Sequence, residues 1–289
     1  MTGPRTRIGV IGGSGLYRME GLETPESVEV DTPFGKPSDS ITIGRLAGVP
    51  IAFLPRHGRG HRFTPTQIPV KANIYAMKQL GVEWLISISA VGSLREEVRP
   101  LDLVVPDQVI DRTRMRDNTF FGDGVVAHIA FADPFCPDLS IRLADSARET
   151  GATVHQGGTC IVMEGPAFST KAESNLYRSW GASVIGMTAL PEAKLAREAE
   201  VCYTMLACTT DYDVWHENEE DVSIEMVLAN VQRNVATSQQ VLRNLVPSLV
   251  HDRQCGCANA LASAIITDQE HITPQAQRRL AAIIGKYVS

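Results

Sequence analysis

Apolar residues fall along this chain in short runs that switch between two periods. Arg7 to Ile11 is a brief apolar run closed by glycines, the pattern of a buried strand. Ile41 to Arg45 and Pro50 to Leu54 are β-rich and joined around Ala47-Gly48, which predicts a hairpin. Val70, Ile74 and Met77 repeat at helical spacing, and Gly81 stops that helix. Glu83 to Ser89 and Leu101 to Val105 return to strand, and Leu139 to Thr150 reads as a helix ended by Gly151. Gly158 to Met163 and Ala182 to Ile185 are strand-like, and Pro191 to Glu200 is a helix with proline in its first turn. Val201 to Cys208 is continuously apolar, as a strand covered on both faces must be. Ser223 can cap a long helix whose apolar stripe runs through Ile224, Val227, Leu228, Val231, Val235, Leu242 and Leu245, and Pro274 to Val288 reads as helical. Strands alternating with helices predict one α/β domain over residues 1–289, a mixed central β-sheet flanked by helices.

Composition narrows the class. With 44% hydrophobic and 21% charged residues, the chain can bury enough apolar surface to fold. A net charge of -6 offers no basic field for nucleic acid, and no apolar run is long enough for a membrane span. The first residues lack a signal-peptide core, and the six cysteines are scattered apart from Cys255 and Cys257. The expectation is a cytoplasmic protein with reduced thiols.

Ligands of such sheets bind where strands end, so chemistry is sought there. Gly12-Gly13-Ser14-Gly15 lets backbone N–H groups approach an anion, with Ser14 as a further donor, or is a plain tight turn. It lacks the third glycine of a dinucleotide fingerprint. Arg56-His57-Gly58-Arg59-Gly60-His61 offers a guanidinium fork and an imidazole to an anion, or is a solvated loop. Glycines between His57 and His61 and the lack of a zinc motif argue against a metal. Ser89-Ala90-Val91-Gly92-Ser93 reads as a small-residue turn with exposed donors. In Met163-Glu164-Gly165-Pro166-Ala167-Phe168-Ser169, Phe168 can stack on a planar ligand or join the core, and Ser169 or Thr170 with Glu173 can start a helix. Asp211 and Asp213 face the same way in extended chain, so their repulsion should leave one of them protonated near neutrality; a cap or turn role is the plainer alternative.

Together these segments, with Asp31-Thr32-Pro33-Phe34-Gly35-Lys36-Pro37-Ser38-Asp39 and Val214-Trp215, resemble the methylthioadenosine phosphorylases, a branch of the trimeric purine nucleoside phosphorylase family. The matching pieces run in order from residue 8 to about 247. The resemblance implies phosphate attack on the anomeric carbon of 5'-methylthioadenosine, with no cofactor, no metal, and inorganic phosphate as co-substrate. It implies that Ser14, Arg56, His57, Ala90 and Thr188 hold phosphate with Ser89 nearby. It further implies that Met187 lies along the ribose, that Phe168 and Ser169 contact the base, and that Asp211 and Asp213 meet N7 and the 6-amino group, Asp211 as proton donor assisted by Asp213. Relatives specific for 6-oxopurines carry Glu near the Ser169 position and Asn near Asp211, so the acids here favour 6-aminopurines. A broader purine nucleoside specificity is the alternative. Ile224, Val227 and Leu228 suit a methylthio group or are simply core, and His128 matches a residue lent to a neighbouring subunit of a trimer or dimer of trimers, or is a satisfied structural histidine. Cys255-Gly256-Cys257 resembles a CxC of some microbial relatives, a redox pair, a disulfide or free thiols.

Overall fold

The computed structural model describes residues 6–216 and 224–288, the side chains of 224–227 excepted. In chain order the elements are β1 (Ile8–Gly12), β2 (Glu23–Val28), β3 (Ile41–Leu46), β4 (Val49–Pro55), α1 (Val70–Gln79), β5 (Trp84–Ser93), β6 (Leu103–Val105), β7 (Gln108–Arg112) and α2 (Pro137–Arg148). They continue with β8 (Val154–Gln156), β9 (Thr159–Met163), α3 (Lys171–Ser179), β10 (Val184–Gly186), α4 (Ala189–Glu198), β11 (Cys202–Asp211), α5 (Ile224–Leu245), α6 (Pro274–Arg279) and α7 (Ala281–Ile284). Ser223, the expected cap of α5, lies outside the described residues.

One mixed sheet holds the strands, as the alternation predicts. Its path runs β2-β3-β4-β1-β5-β10-β9-β7, and β11 pairs with β5 on the other edge and carries β6 and β8. The β3–β4 hairpin turns through Ala47 and Gly48, both at positive φ, as a tight right-twisted connection needs. β11 is buried from end to end. Its Tyr203, Met205 and Ala207 join one core with α1 and α4, while Cys202, Leu206 and Cys208 join another with α2 and α5. That two-faced burial explains why its run showed no alternation.

The sheet forks at β5. Trp84 to Ser87 lie beside β1, and Gly92 and Ser93 lie antiparallel to β10 on the same edge. Among the described residues no strand covers that edge between Ser87 and Gly92, so the fork opens over Ser89 and Ala90. This corrects the reading of Ser89 to Ser93 as a turn. The segment is strand, and its small residues are needed because a Cβ on Gly92 would sit 3.0 Å from Asp211 Oδ1.

Three other expectations change. β2 and β7 were not foreseen, being polar edge strands without a buried face, and neither was the three-residue β8. The C-terminal helical stretch breaks into α6 and α7 at Leu280. Four of the six cysteines, scattered in sequence, converge in space. Cys136 precedes α2, Cys202 opens β11, and Cys255 and Cys257 flank the start of a short 3-10 turn after α5, yet their four sulfurs lie within 4.8 Å of one another. None of the six cysteines is in a disulfide.

Candidate active site

A cavity of about 690 Å³ opens at the fork of the sheet. Of the residues singled out in the sequence, Ser14, Arg56, His57, Ser89, Ala90, Phe168, Met187, Thr188, Asp211, Asp213 and Leu228 line it. Ser169 is buried just behind this wall, its hydroxyl 3.7 Å from Met163 Sδ and next to the Asp213 carboxyl. His128 is exposed and outside the cavity, with its backbone N–H donating to Ala264 O. The Ile224 and Val227 side chains lie outside the described residues.

One end of the cavity brings together Gly13, Ser14, Arg56, His57, Ser89 and Thr188. The turn after β1 closes with Leu16 N–H donating to Gly13 O, and it presses against β5. A Cβ on Gly13 would stand 2.5 Å from Ile88 O and 3.0 Å from Arg56 Nη1, so only glycine allows this approach. Ser89 and Thr188 join hydroxyls at 3.1 Å across the fork.

Arg56 is not the open fork the sequence suggested. It is 1% exposed and paired with the buried Glu192 through Nε and Nη2. Nη1 donates to Ile88 O and Nη2 also to Ser87 Oγ. Tyr203 Oη and Ser87 Oγ donate to Glu192 as well, at 2.9 and 3.1 Å. Those bonds leave one N–H, on Nη1, beside the glycine turn. Burial opposes the guanidinium charge, and Glu192 more than restores it, so the group sits above its ordinary pKa.

His57 also differs from expectation. Nδ1 lies 2.8 Å from Phe63 O, a contact only a protonated Nδ1 can make, so the neutral ring presents the lone pair of Nε2. Burial pushes its pKa down to about 4, with the charges of Arg56 and His61 adding to that against the Phe63 bond. His61 stacks on it, centroids 4.2 Å apart, and Tyr17 Oη holds His61 at 2.8 Å. Nitrogen NMR of the protein at pH 6 is expected to show His57 neutral with its proton on Nδ1. A charged ring or an Nε2 proton there would contradict this assignment.

The other end carries the two carboxylates. β11 bulges between Thr209 and Asp211, and α5 clamps that bulge: Asn230 and Asn234 side chains donate to Thr210 O and Thr209 O at 2.7 and 2.9 Å. Asp211 accepts from Thr210 Oγ1 at 2.6 Å and from Asp213 N–H at 2.8 Å. Asp213 sits at φ +54°, and its Oδ2 is buried without a well-formed hydrogen bond. Burial raises the Asp213 carboxyl above its ordinary value, with the Ser174 and Ser169 hydroxyls opposing. Both carboxyls thus have donors, and burial still pushes the Asp213 carboxyl toward its acid form.

Phe168 is 53% exposed, a ring on the cavity wall rather than a core residue. Leu228, Val231 and Gln232 of α5 close the cavity on another side. Arg116 was missed by sequence reasoning. Its nearly buried guanidinium donates to the carbonyls of Met163, Glu164, Met187 and Leu190 and pairs with Glu164. It therefore sets where the Met163 and Met187 walls stand. Nothing local in Thr113-Arg114-Met115-Arg116 announces this, because its partners are carbonyls far along the chain.

Comparison with known proteins gives a consistent picture. A model of the phosphorylase superfamily matches residues 7–247. An S-methyl-5'-thioadenosine phosphorylase of Geobacter sulfurreducens is 61% identical over 282 residues, covering 97% of this chain and 99% of that protein. The enzyme of that name from Chloroflexus aurantiacus is 56% identical over 283 residues, with 98% of each chain covered. Among solved structures, a methylthioadenosine phosphorylase from an Antarctic soil metagenomic library superposes with a TM-score of 0.93 at 46% identity, covering 97% of this chain and 99% of that one. The methylthioadenosine phosphorylase of Schistosoma mansoni in complex with adenine gives 0.85 at 33% identity, covering 90% and 97%.

Proposed function

The chain belongs to the phosphorylase superfamily, and from that premise we propose that it cleaves S-methyl-5'-thioadenosine with inorganic phosphate, releasing adenine and 5-methylthioribose 1-phosphate. The observation that carries this reading is one cavity joining an anion end, an apolar wall from α5 and a pair of aspartates. Phosphate would sit at the sheet fork against Ser14, Ser89, Ala90, Thr188 and the remaining Arg56 N–H. Because His57 offers a lone pair, a monohydrogen phosphate would donate its own P–OH to Nε2. A phosphate oxygen then bonds to the anomeric carbon as the bond to the purine N9 breaks. The bonding pair leaves on the base, and a proton from the aspartates neutralises it at N7.

The aspartates act as a coupled unit holding one proton. The resemblance makes Asp211 the donor assisted by Asp213; the burial that raises the Asp213 carboxyl supports Asp213 as the proton's resting place. Asp211, ionised, would accept from the 6-amino group, and Phe168 would stack on the base. Met187 would lie along the ribose, and Leu228 would meet the methylthio group. The nucleophile is already anionic, so this chemistry calls on no cofactor.

Among the described residues no helix is long and apolar enough to cross a membrane. A cytoplasmic salvage role fits the substrate. His128, exposed and away from its own cavity, suits donation to a neighbour in a trimer or a dimer of trimers. Light scattering gives the assembly directly.

The test is a substrate panel with and without phosphate. Adenine release from methylthioadenosine should require phosphate and exceed that from adenosine, with hypoxanthine release from inosine slowest. Equal release without phosphate would make the protein a hydrolase. Preference for inosine would remove the role given to the aspartates.

A further inference from the structure

We propose that Cys136, Cys202, Cys255 and Cys257 bind one zinc ion as a structural tetrathiolate, outside the nucleoside cavity. Among the described residues this is the one group of three or more His, Cys, Asp or Glu side chains whose ligand atoms converge. The four sulfurs lie within 4.8 Å of one another. A tetrahedron of Zn–S bonds of about 2.3 Å has edges of about 3.8 Å, so small side-chain shifts suffice. Cys202 and Cys255 sulfurs are 3.2 Å apart, well beyond a bonded pair at about 2.05 Å.

The donor set selects the ion. Four thiolates in a tetrahedral cluster suit zinc and exclude the hard, oxygen-seeking cations. Cys136, Cys202 and Cys257 are buried against the α2 and α5 core, and only Cys255 is half-buried. A site closed by four protein ligands leaves no position for substrate, so its role is structural. Binding converts four thiols and Zn²⁺ into a complex of net charge two minus, releasing four protons. Arg253 supplies an adjacent positive charge, with Nη1 3.9 Å from Cys202 Sγ and 2.8 Å from Glu200 O. The ion would tie the chain after α5 to the first residue of β11 and to the start of α2. Those segments are far apart in sequence, so the cross-link is long-range.

The test uses the full chain expressed with zinc, purified under thiol reductant and dialysed against metal-free buffer. Elemental analysis is expected to give one zinc per chain. Replacement of zinc by cobalt(II) should give the intense visible bands of a tetrahedral thiolate complex. Cys255→Ser, at the half-exposed position, should lose more than nine-tenths of the zinc, and Cys160→Ser, a buried thiol elsewhere, should keep it. Because the first two measurements use the unmodified chain, a variant that fails to fold does not blur the result. Four titratable cluster thiols without metal overturn the proposal. So does a metal-free chain lighter by four hydrogens, meaning two disulfides, or iron in place of zinc. None of these readouts depends on turnover, so they stand apart from the substrate panel.

Discussion

Replacing Asp213 by asparagine is expected to slow phosphorolysis and, at neutral pH, to stabilise the protein. Loss of a positioned general acid lowers kcat/KM by roughly 10²–10⁴-fold. The stability gain follows from burial. Asp213 is 9% exposed, and its carboxyl pKa in the fold is raised. An acid whose native pKa lies above its unfolded value binds more protons in the native state, so stability falls as pH rises through that window. Below the ordinary carboxylate range both states carry the proton, and wild type and D213N should melt nearly alike. As pH climbs past the raised native value, wild type must ionise a buried group and the asparagine variant need not, so the gap in Tm widens and then levels. Thermal melts from pH 3 to 8 beside the pH profile of kcat/KM check both halves. A gap largest at low pH, or a loss of activity under about tenfold, would be inconsistent with Asp213 as the resting place of the proton.

The split between the two aspartates shows where sequence reading stops. Asp-x-Asp after an apolar strand was enough to suspect a shared proton. Which member holds it depends on Thr210 Oγ1 and the Asp213 N–H, both placed by a bulge that α5 clamps through Asn230 and Asn234. The same limit applies to the fold. β3 and α1 were legible because their apolar periods match their buried faces, and β4 and β11 because burial on both faces makes their runs continuously apolar. β2, with the sequence Glu23 to Val28, has no buried face and so no pattern. Ser89 to Ser93 looked like a turn because a strand squeezed against Asp211 and β10 must be built from small residues. The cysteines are the extreme case. Only the Cys255–Cys257 spacing is local, and the other two sulfurs arrive through the topology of the sheet.

The buried pair of Arg56 and Glu192 carries the second large effect. Glu192→Ala leaves a guanidinium 1% exposed without its counter-charge, and also strips Tyr203 Oη and Ser87 Oγ of an acceptor. Breaking a buried pair on one side costs about 3–5 kcal/mol. At roughly 2–4 °C per kcal/mol for a chain of this size, Tm should fall on the order of 10 °C. Stability alone does not say what the pair is for, because replacing both partners by apolar residues is often neutral. Arg56→Met with Glu192→Met should therefore recover much of the lost Tm. It should not recover phosphate binding, since the one N–H aimed past Gly13 is gone and the anion end is left with hydroxyls and backbone. KM for phosphate is expected to rise at least about tenfold in the double variant, the scale of one lost charge-assisted hydrogen bond, while KM for the nucleoside changes little. Melting curves and separate titrations of the two substrates read this out. If the double variant regains stability and phosphate affinity together, Arg56 is only a core cation, and the anion end must be assigned to Ser14, Ser89 and Thr188 alone.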